Sequence, residues 1–214
     1  LSSIAVVYQD SAFGKSNLAT CEQLAADYKV QVVKTLPLAI TAEDAKQVVA
    51  GLAEAKPGAV LMIMAGRMVE VFIRDYRASG GAAPLYTLSV GITDAAGSAK
   101  RLEGKLAGLV TASIVPPPEA VRVPIVADYQ RDRAEFGEKI DSYTTLEGYI
   151  ASRVMVEGLR RGGKTLTRDS FIAGMESIGS TRFGDFPVEY SARNHNGSTF
   201  VDLEMYTRDG HLRR

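Results

Sequence analysis

Five side chains carry the chemistry this sequence offers: Tyr8, Asp10, Phe13, Arg67 and Ser89. They fall in three short stretches, 8–13, 65–67 and 89–94, each following an apolar run of four to six residues. Together they bring hydroxyls, an aromatic ring, one guanidinium and the free N–H groups of helix starts. Such groups suit reversible binding of a small polar or anionic molecule. Each has a plainer role available. Phe13 could staple the first helix to a sheet. Arg67 could pair with Glu70, three residues on. Ser89 could cap a turn, Tyr8 could be a core or rim residue, and Asp10 could organise its turn. Their convergence on one edge of one sheet is what favours binding.

The residue patterns of catalysis are not found. His195 and His211 stand in turn or terminal-strand contexts, with no second ligand at metal-binding spacing, so no metal site and no catalytic residue is assigned. There is no G-x-S-x-G elbow. Phe13-Gly14-Lys15-Ser16 contains Gly-Lys-Ser, but 9–13 holds no glycine to complete a phosphate-binding loop. Strand one is followed by Gln-Asp-Ser-Ala-Phe-Gly, not by a dinucleotide fingerprint. No cofactor is expected. Asn196-Gly197-Ser198 matches a glycosylation sequon, and a tight turn explains it better. The single cysteine, Cys21, reads as a small buried apolar residue of the first helix and excludes a disulfide framework.

The elements that must position these groups alternate. Strands are predicted at 3–8, 30–33, 59–64, 85–88 and 109–112. Helices are predicted at 14–28, from Thr41, at 67–78 and at 94–102. This is the layout of an α/β, doubly wound parallel sheet, whose ligands sit beyond the carboxyl ends of its strands. The pattern changes at Ile114-Val115-Pro116-Pro117-Pro118, a stiff extended segment suited to crossing between bodies. Helices at 119–136, 144–161 and 167–178 follow with no strand between them. From about Gly184 strands return, with hairpin signals at Asn196-Gly197 and Asp209-Gly210. The 214 residues are 46% hydrophobic, enough for a substantial core. The formal net charge is zero, which argues against nucleic acid as a partner.

Several segments resemble type I periplasmic binding proteins, the branched-chain amino acid receptors of ABC importers. They are Ile4-Ala5-Val6-Val7-Tyr8-Gln9-Asp10-Ser11-Ala12-Phe13-Gly14-Lys15, Lys56-Pro57-Gly58-Ala59-Val60-Leu61, Phe72-Ile73-Arg74 and Leu146-Glu147-Gly148-Tyr149-Ile150-Ala151. Leu159-Arg160-Arg161-Gly162-Gly163-Lys164 and the ending Asn194-His195-Asn196-Gly197-Ser198 continue the likeness, which covers essentially the whole chain.

The resemblance implies two lobes closing on a ligand without chemistry, a periplasmic address and delivery to a membrane permease. A sensor domain of the same fold is the alternative. It further implies that roughly the first third, holding most of lobe one, is absent. Residues 1–113 would then be lobe two, 114–180 the crossing and the helices of lobe one, and 181–214 a return to lobe two. The isolated chain is expected to form a homodimer or retain an N-terminal fragment. By the same resemblance, Phe13 is the aromatic preceding the first-helix glycine, and Arg67 stands where a tyrosine is common. Leu88-Ser89-Val90-Gly91-Ile92 lacks the carboxylate that often holds a ligand ammonium. An arginine favours a carboxylate, which its guanidinium can grip bidentately. An organic acid, an aromatic one included, thus rivals a branched-chain amino acid as ligand.

Overall fold

The computed structural model describes residues 2–137 and 139–213. Leu1, where the first predicted domain opens, lies outside them. Two compact units divide the chain: Leu1–Ser113 with Leu203–Arg214, and Ile114–Asp202.

The first unit alternates as its hydrophobic pattern requires: β1 (Ser3–Gln9), α1 (Ala12–Asp27), β2 (Gln31–Leu38), α2 (Lys46–Ala55), β3 (Val60–Ile63), α3 (Arg67–Ala78), β4 (Leu85–Leu88), α4 (Ala95–Arg101) and β5 (Leu109–Ser113). The second unit holds α5 (Pro124–Phe136), α6 (Tyr143–Arg161) and α7 (Arg168–Glu176), then β6 (Gly179–Phe183), β7 (Phe186–Ser191) and β8 (Asn194–Gly197). The chain returns to the first unit with β9 (Asp202–Tyr206) and β10 (Leu212–Arg213). The main sheet runs β10-β9-β5-β4-β3-β1-β2. Strands β1 to β5 pair in parallel, and β9 with β10 antiparallel.

One cluster of the first unit's core lies on one face of that sheet. Val60, Met62, Leu85 and Leu109 meet Val48, Val49 and Leu52 of α2 and Val69, Phe72 and Ile73 of α3. The near-continuous apolar run of β3 is what a central parallel strand buried on both faces needs. The Phe72 and Tyr76 rings stack at 5.4 Å, and the Tyr76 hydroxyl accepts the Ala83 N–H at 3.0 Å.

Some boundaries differ from expectation for local reasons. Strand β2 continues past 33 to Leu38. It lies at the sheet edge, where Pro37 removes no ladder hydrogen bond that the sheet needs. Helix α2 starts at Lys46, not Thr41, and its start is held from elsewhere: the Ala45 N–H donates to Asp75 Oδ2 of α3 at 2.7 Å. Helix α5 begins with Pro124 as its first residue, a position that needs no N–H, so 119–123 is not helical. Thr167 caps α7 as its sequence suggests, accepting the Ser170 N–H at 3.1 Å.

Strands β6, β7 and β8 form their own antiparallel sheet. The chain therefore rejoins the first unit at Leu203 rather than at 181. Asn196-Gly197 ends β8 instead of turning a hairpin, whereas Asp209-Gly210 does join β9 to β10. Cys21 is only partly buried, and that burial raises its thiol pKa.

The Asp75 contact gives a pH-dependent result. Hydrogen bonding from Arg74, and then from the Ala45 N–H, holds the Asp75 carboxyl below its ordinary value of 3.8. Its contribution to stability is therefore full above that value and is lost as pH falls through the lower native one. Asp75→Asn is expected to cost about 1–2 kcal/mol in urea unfolding at neutral pH. The gap to wild type should close in acid. A gap that persists unchanged at pH 2 would contradict the charge account.

Candidate functional site

Chain order β2-β1-β3 puts a switch point at the carboxyl ends of β1 and β3, since the chain leaves β1 in one direction and returns on its other side. In open α/β sheets, ligands bind outside the carboxyl ends of the strands at such a point. Tyr8 closes β1 opposite Ile63 of β3, and Met62 pairs with Thr87 of β4, so the three strand ends stand nearly level. Tyr8 lies near the end of β1, Asp10 and Phe13 follow it, Arg67 follows β3 and Ser89 follows β4. The fold therefore brings all five candidates to one edge of three adjacent strands.

Their states differ. Tyr8 is half-buried at the rim. Asp10 is exposed and pairs with Lys15 at 2.8 Å, which raises the Lys15 pKa. The turn is organised mainly by Ser11, which caps α1 by accepting the Gly14 N–H at 3.4 Å and also accepts from Gln9 Nε2 at 3.0 Å. Phe13 keeps 39% of its surface exposed. Ser89 is buried and opens a single 3₁₀ turn at 89–91.

Arg67 is the first residue of α3 and is exposed. Its helix starts at Gly66, whose φ of +64° is a left-handed conformation open to glycine. No side chain caps this start; of its first-turn N–H groups, that of Val69 donates back to the Gly66 carbonyl at 3.0 Å. Among the described residues Arg67 has no ion pair or side-chain hydrogen bond. The expected alternative partner, Glu70, is occupied elsewhere. Arg101 of α4 grips it with a fork, Nε to Oε2 at 2.9 Å and Nη2 to Oε1 at 2.7 Å, and the Ser98 hydroxyl adds a third bond at 2.7 Å. Arg101 holds the Glu70 carboxyl below its ordinary range.

Gly66, Ser11 and this Glu70–Arg101 fork were not legible as site features. The glycine between an apolar strand and a helix start is the one signal that could have pointed there. Two apolar cavities lie away from all five residues. One, of about 450 Å³, runs between α1 and the sheet past Ile4, Cys21, Leu24 and Ile63. The other, of about 390 Å³, lies in the second unit against Ile150, Val154, Phe186 and Phe200. Among the described residues no group of three or more His, Cys, Asp or Glu could hold a metal ion, and no helix is long and apolar enough to cross a membrane.

Comparison with known proteins bears on the fold. A family profile described as "Periplasmic binding protein" matches residues 1–206. A substrate-binding periplasmic protein from Ralstonia solanacearum superposes with a TM-score of 0.86 at 25% identity, covering 99% of this chain and 61% of that one. A "possible leucine/isoleucine/valine-binding protein" from Rhodopirellula baltica SH 1 reaches 0.85 at 20% identity, with 99% and 58% covered. A fatty acid ABC transporter substrate-binding protein from Thermomonospora curvata reaches 0.84, also at 20%, with 99% and 56% covered. The last two carry different ligands in their names at equal identity, so likeness at that level speaks to fold and not to ligand. The chain spans about three fifths of the length of these structures. No curated protein matches it.

Proposed function

Since the chain belongs to the periplasmic binding protein family, we propose that it forms part of an extracytoplasmic, periplasmic solute receptor of an ABC importer. It captures a small organic carboxylate or amino acid without converting it, and the loaded receptor hands its ligand to a membrane permease. The first unit acts as lobe two, and the second unit belongs to lobe one. In the complete receptor, capture follows from closure of two lobes on the ligand.

The observation that carries the ligand class is the unpaired Arg67 at the switch point. A guanidinium left without a carboxylate partner, at a helix start that no side chain caps, offers fixed positive potential to an anion. Phe13, partly exposed in the first turn of α1, supplies apolar surface for the body of the ligand. Tyr8 and Ser89 supply hydroxyls, and Asp10, held by Lys15, keeps the loop in shape. An organic acid is favoured over a zwitterionic amino acid because 88–92 offers no carboxylate for an ammonium.

Titration of the chain with benzoate and with leucine, followed by NMR, tests this. Arg67→Ala should weaken benzoate binding at least tenfold, the loss expected when a charge-assisted pair is removed (about 1.5–3 kcal/mol). Leucine should bind more weakly than benzoate to wild type. Benzoate binding that ignores Arg67→Ala would make Arg67 a solvated first-turn residue and end the anion reading.

A further inference from the structure

We propose that Arg101, which stands on α4 and not on a candidate ligand loop, is a positioning residue for the binding site. It sequesters Glu70 so that Arg67 stays free for an anionic ligand. The inference rests on the reading of Arg67 given above and extends it to what keeps that charge available.

Glu70 is three residues from Arg67 on α3, a spacing at which helix side chains meet. Left alone, this carboxylate would pair with Arg67 or repel an incoming anion. It is prevented from doing so by three contacts. Both of its oxygens receive the Arg101 fork, and Oε1 also accepts from Ser98. Arg101 is tied in turn to Asp94, the residue capping α4, through Nη1 at 3.3 Å. The other basic residue within reach of Glu70 along α3, Arg74, is spent on Asp75 and on the Glu43 carbonyl, with Nε at 2.7 Å from Asp75 Oδ1 and Nη2 at 2.9 Å from the carbonyl. The fork is bidentate, and a lysine could not reproduce it. Four arginines stand on or against α3; Arg74, Arg101 and Arg77, which donates to the Gly81 carbonyl at 2.9 Å, are engaged, and among the described residues Arg67 is not. The network thus acts on ligand choice through charge: with Arg101 in place the edge reads as cationic, and without it Glu70 neutralises it.

The test compares wild type with Arg67→Ala, Arg101→Met, Glu70→Gln and the Glu70→Gln/Arg101→Met double variant of the full chain, with benzoate as the probe. Arg101→Met should weaken benzoate binding about fivefold to tenfold, the combined effect of an exposed pair at Arg67 and a nearby negative charge. Glu70→Gln alone should bind at least as well as wild type. The double variant should return to within about twofold of wild type, because the competing carboxylate is gone; a merely structural role for Arg101 predicts no such rescue. A ligand-independent arm follows phenylglyoxal labelling of Arg67 by peptide mass mapping. Labelling should slow in Arg101→Met and recover in the double variant. Should Arg101→Met fail to fold, Arg101→Lys carries the same comparison at smaller amplitude.

Wild-type affinity in Arg101→Met, or a double variant as weak as the single one, would overturn the proposal. Benzoate binding that is absent from wild type or indifferent to Arg67→Ala would instead sink the anion reading. The labelling arm would still decide whether Glu70 captures Arg67.

Discussion

Gly14→Ala is expected to destabilise the first unit by about 3 kcal/mol or more, at the upper end of overpacking effects. A Cβ at this position would stand 1.9 Å from the Gln9 carbonyl oxygen and 2.9 Å from the Gln9 nitrogen. Both are backbone atoms of β1, which is hydrogen-bonded on either side to β2 and β3 and cannot retreat. The helix must therefore lift. That movement would carry Phe13 away from the sheet edge and break the Ser11 cap, so benzoate affinity should fall together with stability. Urea unfolding followed by circular dichroism gives the first quantity and NMR titration the second. A loss under about 1 kcal/mol with binding intact would mean that α1 can shift freely on the sheet.

Phe72→Ala is expected to cost about 3–5 kcal/mol, the range for removing a fully buried aromatic side chain. Phe72 has no exposed surface and stacks on Tyr76 in the middle of the helix-covered face. The denaturation midpoint should drop with the urea slope unchanged. Phe72→Leu, which keeps most of the volume, should cost less than about 1.5 kcal/mol. Near-equal losses in the two variants would show that the ring shape, rather than the filled volume, is what the site requires.

Much of this architecture is written in local pattern. The boundaries of α3 and β4 follow directly from periodicity and from the glycines that stop them, because α3 carries one strongly apolar face and one charged face. The start of α2 was not readable, since its hydrogen-bond acceptor, Asp75, lies thirty residues away in sequence. The full extent of β2 was hidden by Lys34 and Pro37, which look like breakers until the strand is known to lie at an edge. The strands β6 to β8 were harder still, because Thr181-Arg182 and His195-Asn196 carry little apolar alternation.

For the site, periodicity found the strand ends, and the doubly wound layout placed the candidates on one edge. It could not tell an engaged arginine from a free one. That distinction lies in the Glu70–Arg101 pairing, a contact across 31 residues of sequence between two helices.

The return of β9 to the main sheet has a consequence in time. Where folding keeps pace with synthesis, β5 is complete well before its outer neighbour exists, because the whole second unit is made between them. At about 5–20 residues per second, the intervening stretch of about 90 residues takes roughly 5–18 s to emerge. Throughout that interval the N–H and C=O groups of Leu109–Ser113 face outward as an unfinished border, the kind of surface that recruits strands from other chains. Expression yield should therefore be sensitive to translation speed across Ile114–Asp202. Slow codons there would prolong the vulnerable state, and chaperones that shield nascent strands would matter more for this protein than its native stability suggests.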